Sequence, residues 1–336
     1  MPSDTTSILK KLTKDVVIGS TIDPINGDTG PRALSTVPVN YELKKGQLLV
    51  CNFDDAAGAA GSGTTIEVID RKPGSKPSRL LQSSKIEGCD GDAITTGDQV
   101  YATGLTSRTM TWIRQNGKIK KTYGSSIELP YADADGQPPF EYDPEYIFVG
   151  DAKSGSLFNL SLGLYGTGKL LHPVIGFAVK HPSPDGTLGP WPVVYSAAHS
   201  LKQILYVVDG ANNTIVAISK PGNLLENDEI VVKPGGKTFS CKSPSATCAR
   251  LVYSGPPLNG PVAPTVLPNG NLVVANSKGG NTLVELTPQG QILATKTIDK
   301  SKTAGIFGLL ATGKDDSDTA IFFTDANSNN VQELEQ

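Results

Sequence analysis

The sequence predicts an all-β protein, a single six-bladed β-propeller built from four-stranded antiparallel blades. Three observations lead to this prediction. A unit of four short strands recurs along the chain, and 36 glycines and 24 prolines among 336 residues suit many tight turns and few helices. In addition, the N-terminal stretch resembles the one strand that the last repeat lacks.

The clearest copy of the unit lies between Asn259 and Asp299. It reads as an apolar run "PVAPTVL", a tight turn "PNG", a second run "NLVVAN", a loop, a third run "NTLVELT", the turn "PQG" and a final run "QILATKTID". The third run alternates polar and apolar residues at period two, as a strand with one wetter face does. Four antiparallel strands in about 40 residues are typical of one propeller blade.

The second strand of the unit, which ends in Asn or Asp before a small-residue loop, recurs along the whole chain. It ends at Asn52, Asp151, Asp209, Asn276 and Asp325. A degenerate copy, "VYATGLTSRTMTWI", has Gly104 at this point. Six copies at a mean spacing of roughly 55 residues therefore predict six blades with generous loops.

The two ends of the chain are predicted to meet. The last copy stops one strand short of a blade at Gln336, whereas the N-terminal "DVVIGSTIDPINGDTGPRAL" resembles the outer strand and crossover "ILATKTIDKSKTAGIFGLL". Both contain the triplet "TID". We infer that the N-terminal strand is the outer strand of the last blade and closes the ring, which leaves no exposed sheet edge at the seam.

These repeats define the expected domain organisation. Residues 1–14 read as a polar N-terminal tail with a short amphipathic patch, and residues 15–336 read as one propeller. The expected blades are 32–86, 87–127, 128–181, 190–238, 250–299, and 304–336 together with 15–23.

Composition excludes several classes of partner. A net charge of -3 argues against a nucleic-acid or anionic membrane surface, because both need a basic face. No run approaches the roughly 18 apolar residues of a membrane span. We expect a monomer that binds a small molecule, a glycan or a peptide.

The four cysteines favour an exported protein, periplasmic or secreted. Cys241 and Cys248 bracket "KSPSAT" closely enough for a disulfide bond, and Cys51 and Cys89 are expected to meet at one rim. Free buried thiols in a cytosolic protein are the alternative. Because no CxxC motif is present, a zinc site is not expected.

The copy "GPVAPTVLPNGNLVVANSKGGNTLVEL" resembles the NHL repeat of six-bladed propellers. It has a Gly-Pro start, a Gly-Asn turn, an apolar strand that ends in Ala-Asn, and a further Asn before the third strand. "LYVVDGANNTIVAI" and "IFFTDANSNNVQEL" match the second half of that pattern. The resemblance implies a scaffold, and the wider group of six-bladed propellers includes protein-binding modules, hydrolases and lyases, so the fold alone fixes no function.

Candidate binding residues gather where propeller topology places one face. Crossovers between blades and loops between second and third strands share that face, and two crossovers, "SSIELPYADADGQPPFEYDPEY" and "VKHPSPDGTLGPWPVV", are unusually long. We therefore predict a ligand at this loop-rich face. The predicted ligand-binding residues are Arg32, Asp90, Asp92, Tyr131, Tyr142, His181 and Trp191.

Two alternatives remain at this stage. Oxygen ligands around the axis would suit Ca²⁺ in a hydrolase, a lactonase or a lyase with its site at the channel mouth. However, an Asn or Asp that ends a strand usually caps the following turn, so no metal or other cofactor is expected. A zinc lyase would need histidines from three blades, whereas His172, His181 and His199 fall close together in the chain. A purely structural repeat is the second alternative.

Overall fold

The computed structural model describes residues 5–97, 99–124, 126–136, 145–162, 168–196, 203–244 and 247–336. Within these residues the chain forms 26 strands and two short 3₁₀ turns, at Ser84–Ile86 and Pro221–Asn223. The strands of the first half are β1 (Lys14–Ser20), β2 (Thr29–Thr36), β3 (Leu48–Asp54), β4 (Ala60–Ile69), β5 (Ser78–Gln82), β6 (Cys89–Ile94), β7 (Val100–Gly104), β8 (Thr109–Ile113), β9 (Ile119–Tyr123), β10 (Pro130–Gly136), β11 (Tyr146–Asp151), β12 (Leu157–Ser161) and β13 (Leu170–Ile175).

The second half repeats the same plan. Its strands are β14 (Pro190–Ser196), β15 (Gln203–Asp209), β16 (Thr214–Ser219), β17 (Ile230–Val232), β18 (Phe239–Cys241), β19 (Ala249–Ser254), β20 (Pro261–Val266), β21 (Leu272–Asn276), β22 (Asn281–Leu286), β23 (Ile292–Asp299), β24 (Ile306–Thr312), β25 (Ala320–Asp325) and β26 (Asn330–Glu335). The described strands of both halves together assemble into six sheets, one for each blade. The fold is the predicted six-bladed β-propeller.

Blade 6 confirms the predicted closure of the ring. Its order is β24-β25-β26-β1, so the N-terminal strand is the outermost one. β1 runs antiparallel to β26, with Lys14 opposite Glu335 and Ser20 opposite Asn330. The first and last strands of the chain therefore share one sheet.

Blades 3 and 4 differ in detail from the boundaries expected from sequence. The fourth strand of blade 4 is β19, whereas residues from 250 onward were expected in blade 5. The intervening chain forms the hairpin β17-β18, which extends the outer edge of blade 3 through a parallel pairing of β13 with β17. The run "IVV" has the pattern of an outer strand, and its pattern alone does not specify which blade it joins.

The second half of the segment that was expected to be a tail packs onto blade 5. Ile8, Leu9 and Leu12 are fully buried. The carboxylate of Glu285 on β22 accepts hydrogen bonds from the Ser7 hydroxyl at 2.6 Å and from the backbone N–H groups of Ile8 at 3.1 Å and Leu9 at 2.9 Å. This carboxylate therefore fixes the chain just before it enters β1.

Four of the five Asn and Asp residues that end the second strands cap loops as expected, whereas Asn52 instead donates through its Nδ2 to the carbonyl of Thr21 at 2.9 Å. Asp151 accepts hydrogen bonds from the backbone N–H groups of Lys153 in its own loop and Glu128 in the incoming crossover, both at 2.8 Å. Asn276 binds the backbone of Asn259 in the same way. In blade 2 a Cβ at Gly104 would lie 2.8 Å from the carbonyl carbon of Ile86, so the degenerate copy has no room for an Asn.

Two disulfide bonds are present, as predicted. Cys51–Cys89 joins β3 of blade 1 to β6 of blade 2, and Cys241–Cys248 closes a loop of the β18–β19 connection. No helix of the described residues is long and apolar enough to cross a membrane. The two disulfide bonds are compatible with a periplasmic or extracellular protein.

Removing the disulfides one at a time is expected to destabilise the protein unequally. The Cys51–Cys89 loop spans 38 residues and the Cys241–Cys248 loop spans 7. Loop-closure entropy then gives a loss of about 4 kcal/mol for C51A/C89A and about 2 kcal/mol for C241A/C248A. Urea unfolding of the two double variants measures both values, and an equal loss would contradict the loop-length argument.

Replacing Glu285 by Gln is expected to lower the free energy of unfolding by about 2–3 kcal/mol, because a neutral amide cannot accept all the hydrogen bonds that reach the carboxylate. Glu333→Gln is the matched control. Glu333 on β26 pairs with Phe322 of the neighbouring strand, as Glu285 on β22 pairs with Val273, and Glu333 is only half-buried. Chemical unfolding measures the free energy of unfolding of both variants. Equal effects would show that the contacts of residues 7–9 do not contribute.

Candidate functional site

Six inner strands, β2, β6, β10, β14, β20 and β24, surround the axis of the propeller. Five of them begin with a residue paired to the end of the second strand, such as Pro130 opposite Asp151 and Pro261 opposite Asn276, and in β2 the equivalent residue is Pro31, opposite Asn52. The next residue of each inner strand occupies an equivalent place near the start of the channel. These six residues, called the upper ring, are Arg32, Asp90, Tyr131, Trp191, Val262 and Phe307, and they are 0–6 % exposed.

Arg32 holds the centre of the upper ring. Its guanidinium carbon lies 3.5 Å from the ring centroid of Phe53 and 4.2 Å from that of Phe307. Its Nη2 also lies 3.3 Å from Oδ1 of Asp185. A guanidinium stacked between aromatic faces and shielded from water is held firmly, so this end of the channel is filled by protein.

The crossover into blade 4 covers the same end. Residues 180–188, called the cap hairpin, are closed by two backbone hydrogen bonds between Lys180 and Leu188, at 2.8 and 2.7 Å. The Tyr131 hydroxyl donates to the carbonyl of Thr187 at 3.0 Å, and Asp185 reaches Arg32 of blade 1. Since blades 1 and 4 face each other across a six-bladed ring, the cap hairpin lies over the mouth.

Two carboxyl groups lie at this end of the channel, Asp90 within the upper ring and the half-buried Asp54 on β3. Burial raises the pKa of Asp90 to about 8, against the opposing effects of Arg32 and of a 2.9 Å hydrogen bond from the Thr103 hydroxyl. Burial likewise raises the pKa of Asp54 to about 6, although Arg32 lowers it. A neutral Asp90 beside a cationic Arg32 is the state that this environment favours at neutral pH.

Below the upper ring the channel widens into a cavity of about 570 Å³. All six inner strands contribute to its wall, including Leu34, Asp92, Asp133, Val193, Thr265 and Leu310. In several of these strands the later residues are half-buried, as in Val193–Tyr195 and Leu310–Thr312, whereas the earlier ones are buried. The cavity is therefore blind at the upper ring and opens at the opposite face.

Two carboxyl groups lie on the wall of this cavity. Asp92 on β6 is 6 % exposed and Asp133 on β10 is 8 % exposed. Burial raises the pKa of Asp92 well above its usual range. The two strands approach closely, because a Cβ at Gly91 would lie only 2.7 Å from Oδ1 of Asp133. The wall thus combines an apolar surface with an acidic patch.

The structure places the seven predicted site residues in separate regions. Arg32, Asp90, Tyr131 and Trp191 belong to the upper ring, and Trp191 also reaches the cavity wall. Asp92 lies on that wall. His181 lies in the cap hairpin, where its Nδ1 is 2.6 Å from the Thr187 hydroxyl oxygen. Tyr142 lies outside the described residues.

Sequence reasoning assigned Tyr131 and Asp133 to a long crossover, whereas both belong to the inner strand β10. The signal that would have corrected this is positional. Asp92 and Asp133 each stand three residues after the residue that pairs with the end of the second strand, Cys89 and Pro130 respectively. Asp133 is a residue of the cavity wall that is absent from the predicted ligand-binding residues.

The described histidines do not share a site, since His172 lies on the outer strand β13 and its Nδ1 is 3.1 Å from Asp228, whereas His181 lies in the cap hairpin. Among the described residues no group of three or more His, Cys, Asp or Glu side chains is arranged to hold a metal ion.

Comparison with solved structures identifies propellers. Catalytically inactive virginiamycin B lyase from Staphylococcus aureus with quinupristin aligns with a TM-score of 0.53 and 15 % identity, over 96 % of this chain and 85 % of that chain. A protein of unknown function from Bacteroides thetaiotaomicron aligns with a TM-score of 0.55 and 13 % identity, over 95 % of this chain and 74 % of that chain. The WD40 propeller domain of Doa1 aligns with a TM-score of 0.53 and 12 % identity, over 96 % of this chain and 98 % of that chain.

No family model and no curated protein matches this chain. At these identities the likeness to solved structures establishes the propeller fold alone.

Replacing Asp90 by Asn is expected to flatten the pH dependence of stability between about pH 4 and pH 8. The folded state keeps the Asp90 proton up to a pKa of about 8, whereas the unfolded chain loses it near the usual value of 3.8. The folded form therefore binds more protons in this window, and wild-type stability falls as pH rises, by up to about 1.4 kcal/mol per pH unit for this group.

Urea unfolding at several pH values measures that slope. Asp70→Asn is the control, since Asp70 is exposed, and it should leave the slope unchanged. Identical slopes for wild type and Asp90→Asn would show that Asp90 is ionised in the folded protein.

Proposed function

We propose that this chain is an exported, monomeric propeller with NHL-like repeats that binds a small organic ligand in its central channel. The observation that carries the proposal is the cavity of about 570 Å³, blind at the upper ring and open at the other face. Its volume lies within the roughly 300–1,000 Å³ of small-molecule sites.

The chemistry of the wall supports the same proposal. Leu34, Val193 and Leu310 supply apolar surface, and Trp191 and Tyr195 supply aromatic surface. Few polar groups converge on the cavity, chiefly Asp92, Asp133 and Thr265. An apolar wall with a small number of polar groups is the usual composition of a site that orients one ligand.

Export is part of the proposal because both disulfide bonds need an oxidising compartment to persist. Glycans and peptides are larger candidate ligands that would project from the open end of the channel.

The loop-rich face remains the competing location for the ligand, with His181 and the cap hairpin as its contacts. In that location the ligand would displace the cap hairpin, because the upper ring beneath it is buried. The Ca²⁺-assisted hydrolase, lactonase or lyase also stays a prediction. Two of the proteins with a similar fold are lyases by name.

A fragment screen by saturation-transfer NMR tests the proposal, with each hit measured again on two blocking variants. Ala134→Phe and Ala311→Phe each place a ring on a half-buried position of the wall, in the opposite blades 3 and 6. We expect hits to lose at least about tenfold in affinity in both variants, because the ring occupies the ligand volume. Thermal unfolding of each variant checks that it folds.

His181→Ala and Asp185→Asn are the matched variants at the loop-rich face, and they should leave these affinities within about twofold. The opposite pattern would place the ligand at the cap hairpin and overturn the channel proposal. Thermal unfolding with chelator and then with added Ca²⁺ tests the metal alternative, since selective binding raises the melting temperature by mass action.

A further inference from the structure

We propose that Arg32 anchors a second binding site, which takes a ligand carboxylate at the loop-rich face, and that Asp185 of the cap hairpin occupies this site as an internal competitor. The site lies at the end of the channel opposite the open cavity. The proposal therefore does not depend on the ligand proposed for the channel.

Arg32 is a buried cation whose hydrogen-bonding capacity is mostly unused. Its side chain is only 4 % exposed. A guanidinium carries several N–H donors. Among the described residues it makes a single hydrogen bond, from Nη2 to Oδ1 of Asp185 at 3.3 Å. Unmet donors on a buried charged group cost free energy unless an acceptor reaches them, so this guanidinium favours a further acceptor.

Two aromatic rings hold the guanidinium in place. Its central carbon lies 3.5 Å from the ring centroid of Phe53 and 4.2 Å from that of Phe307. Stacking engages the faces of a guanidinium and leaves its N–H groups, which lie in its plane, for acceptors. A carboxylate is planar and accepts two parallel N–H bonds from such an edge. Arg32 is therefore preorganised for a carboxylate.

Asp185 is the carboxyl group that reaches Arg32 in this structure. It lies in the turn Ser183–Gly186, which is closed by a backbone hydrogen bond of 3.2 Å from Gly186 to the carbonyl of Ser183. Its side chain is 66 % exposed, so the approach to Arg32 that it uses is open to solvent. A mostly exposed ion pair contributes little net free energy, and a ligand carboxylate with better geometry can replace it.

Only the tip of the cap hairpin has to move in this exchange. The base of the hairpin is closed by the two hydrogen bonds between Lys180 and Leu188, and the Tyr131 hydroxyl holds the carbonyl of Thr187. Asp185 lies at the tip, beside Gly186. Withdrawal of the turn thus opens the edge of Arg32 while the hairpin stays attached to the ring.

The other acidic groups near Arg32 set the pH at which an anion is accepted. Arg32 lowers the pKa of both Asp54 and Asp90, but burial has the larger effect and raises these values to about 6 and about 8. Both groups are mostly neutral below about pH 6, so an entering anion then meets little repulsion from them. The remaining titratable groups around this end are Asp55, Tyr131, Lys180, His181 and Asp185.

The test uses two probes of nearly equal shape, phenylacetate and phenylacetamide, titrated by saturation-transfer NMR on the full chain near neutral pH. We expect phenylacetate to bind Asp185→Asn about three- to fivefold more tightly than wild type, because the competing carboxylate is gone. The affinity of phenylacetamide should not change. Asp70→Asn is the matched control, since it removes an exposed carboxylate just after β4 and should leave both affinities within about 1.5-fold.

Two further substitutions locate the bound carboxylate. In the Asp185→Asn background, Arg32→Lys keeps the charge but loses the planar fork, and it should weaken phenylacetate at least about fivefold. Ala134→Phe, which blocks the channel, should leave phenylacetate within about twofold. Thermal unfolding of each variant checks that it folds, and the gain in Asp185→Asn tests the proposal even if Arg32→Lys does not fold.

Lowering the pH from about 7.5 to about 5 should strengthen the binding of phenylacetate to wild type, because Asp54 takes up a proton near pH 6 and no longer repels the anion. The probe itself stays mostly ionised in this range. Asp54→Asn should remove most of that gain.

Equal affinities of phenylacetate for wild type and Asp185→Asn would overturn the proposal, as would equal binding of phenylacetate and phenylacetamide to Asp185→Asn. Failure of phenylacetate to bind Asp185→Asn at up to about 50 mM would also overturn it. Loss of phenylacetate binding in Ala134→Phe would place the anion in the channel instead, which contradicts a site at Arg32 but leaves the channel proposal intact.

Discussion

The pairing of β1 with β26 is the constraint on which the rest of this structure depends. A propeller is stable because each blade packs against two neighbours, and a ring with an open seam would leave two blades with one exposed face each. The chain closes its seam with backbone hydrogen bonds between its two ends. Buried Ile8, Leu9 and Leu12, together with Glu285, then fix the segment that leads into β1. Closure therefore determines the spacing of the six inner strands and hence the width of the channel.

Within the ring, the two ends of the channel are built in opposite ways. At one end the upper ring and the cap hairpin bury Arg32, aromatic rings and Asp90, so polar groups there are packed against protein. At the other end the inner strands become half-exposed and the cavity meets solvent. Asp92 and Asp133 lie on the channel wall between these two ends.

The sequence predicted the parts of this structure that depend on local chemistry. Five copies of an apolar strand that ends in Asn or Asp, and a sixth copy with Gly104, predicted the number of blades, since such residues cap loops through nearby backbone groups, as Asp151 does. The "TID" triplets predicted the closure, and cysteine spacing predicted both disulfide bonds. Each signal is contained in a few consecutive residues or in a repeat, so no knowledge of distant contacts was needed.

The site depends on contacts that no local pattern records. Arg32 and Asp185 are far apart in the chain and meet only because blades 1 and 4 face each other across the ring. β10 reads "PYADADG", too polar to look like an inner strand, yet its Ala132, Asp133 and Ala134 line the channel. An inner strand that borders a water-accessible channel need not follow the periodicity of a core strand, so the pattern of its residues does not identify it from the sequence.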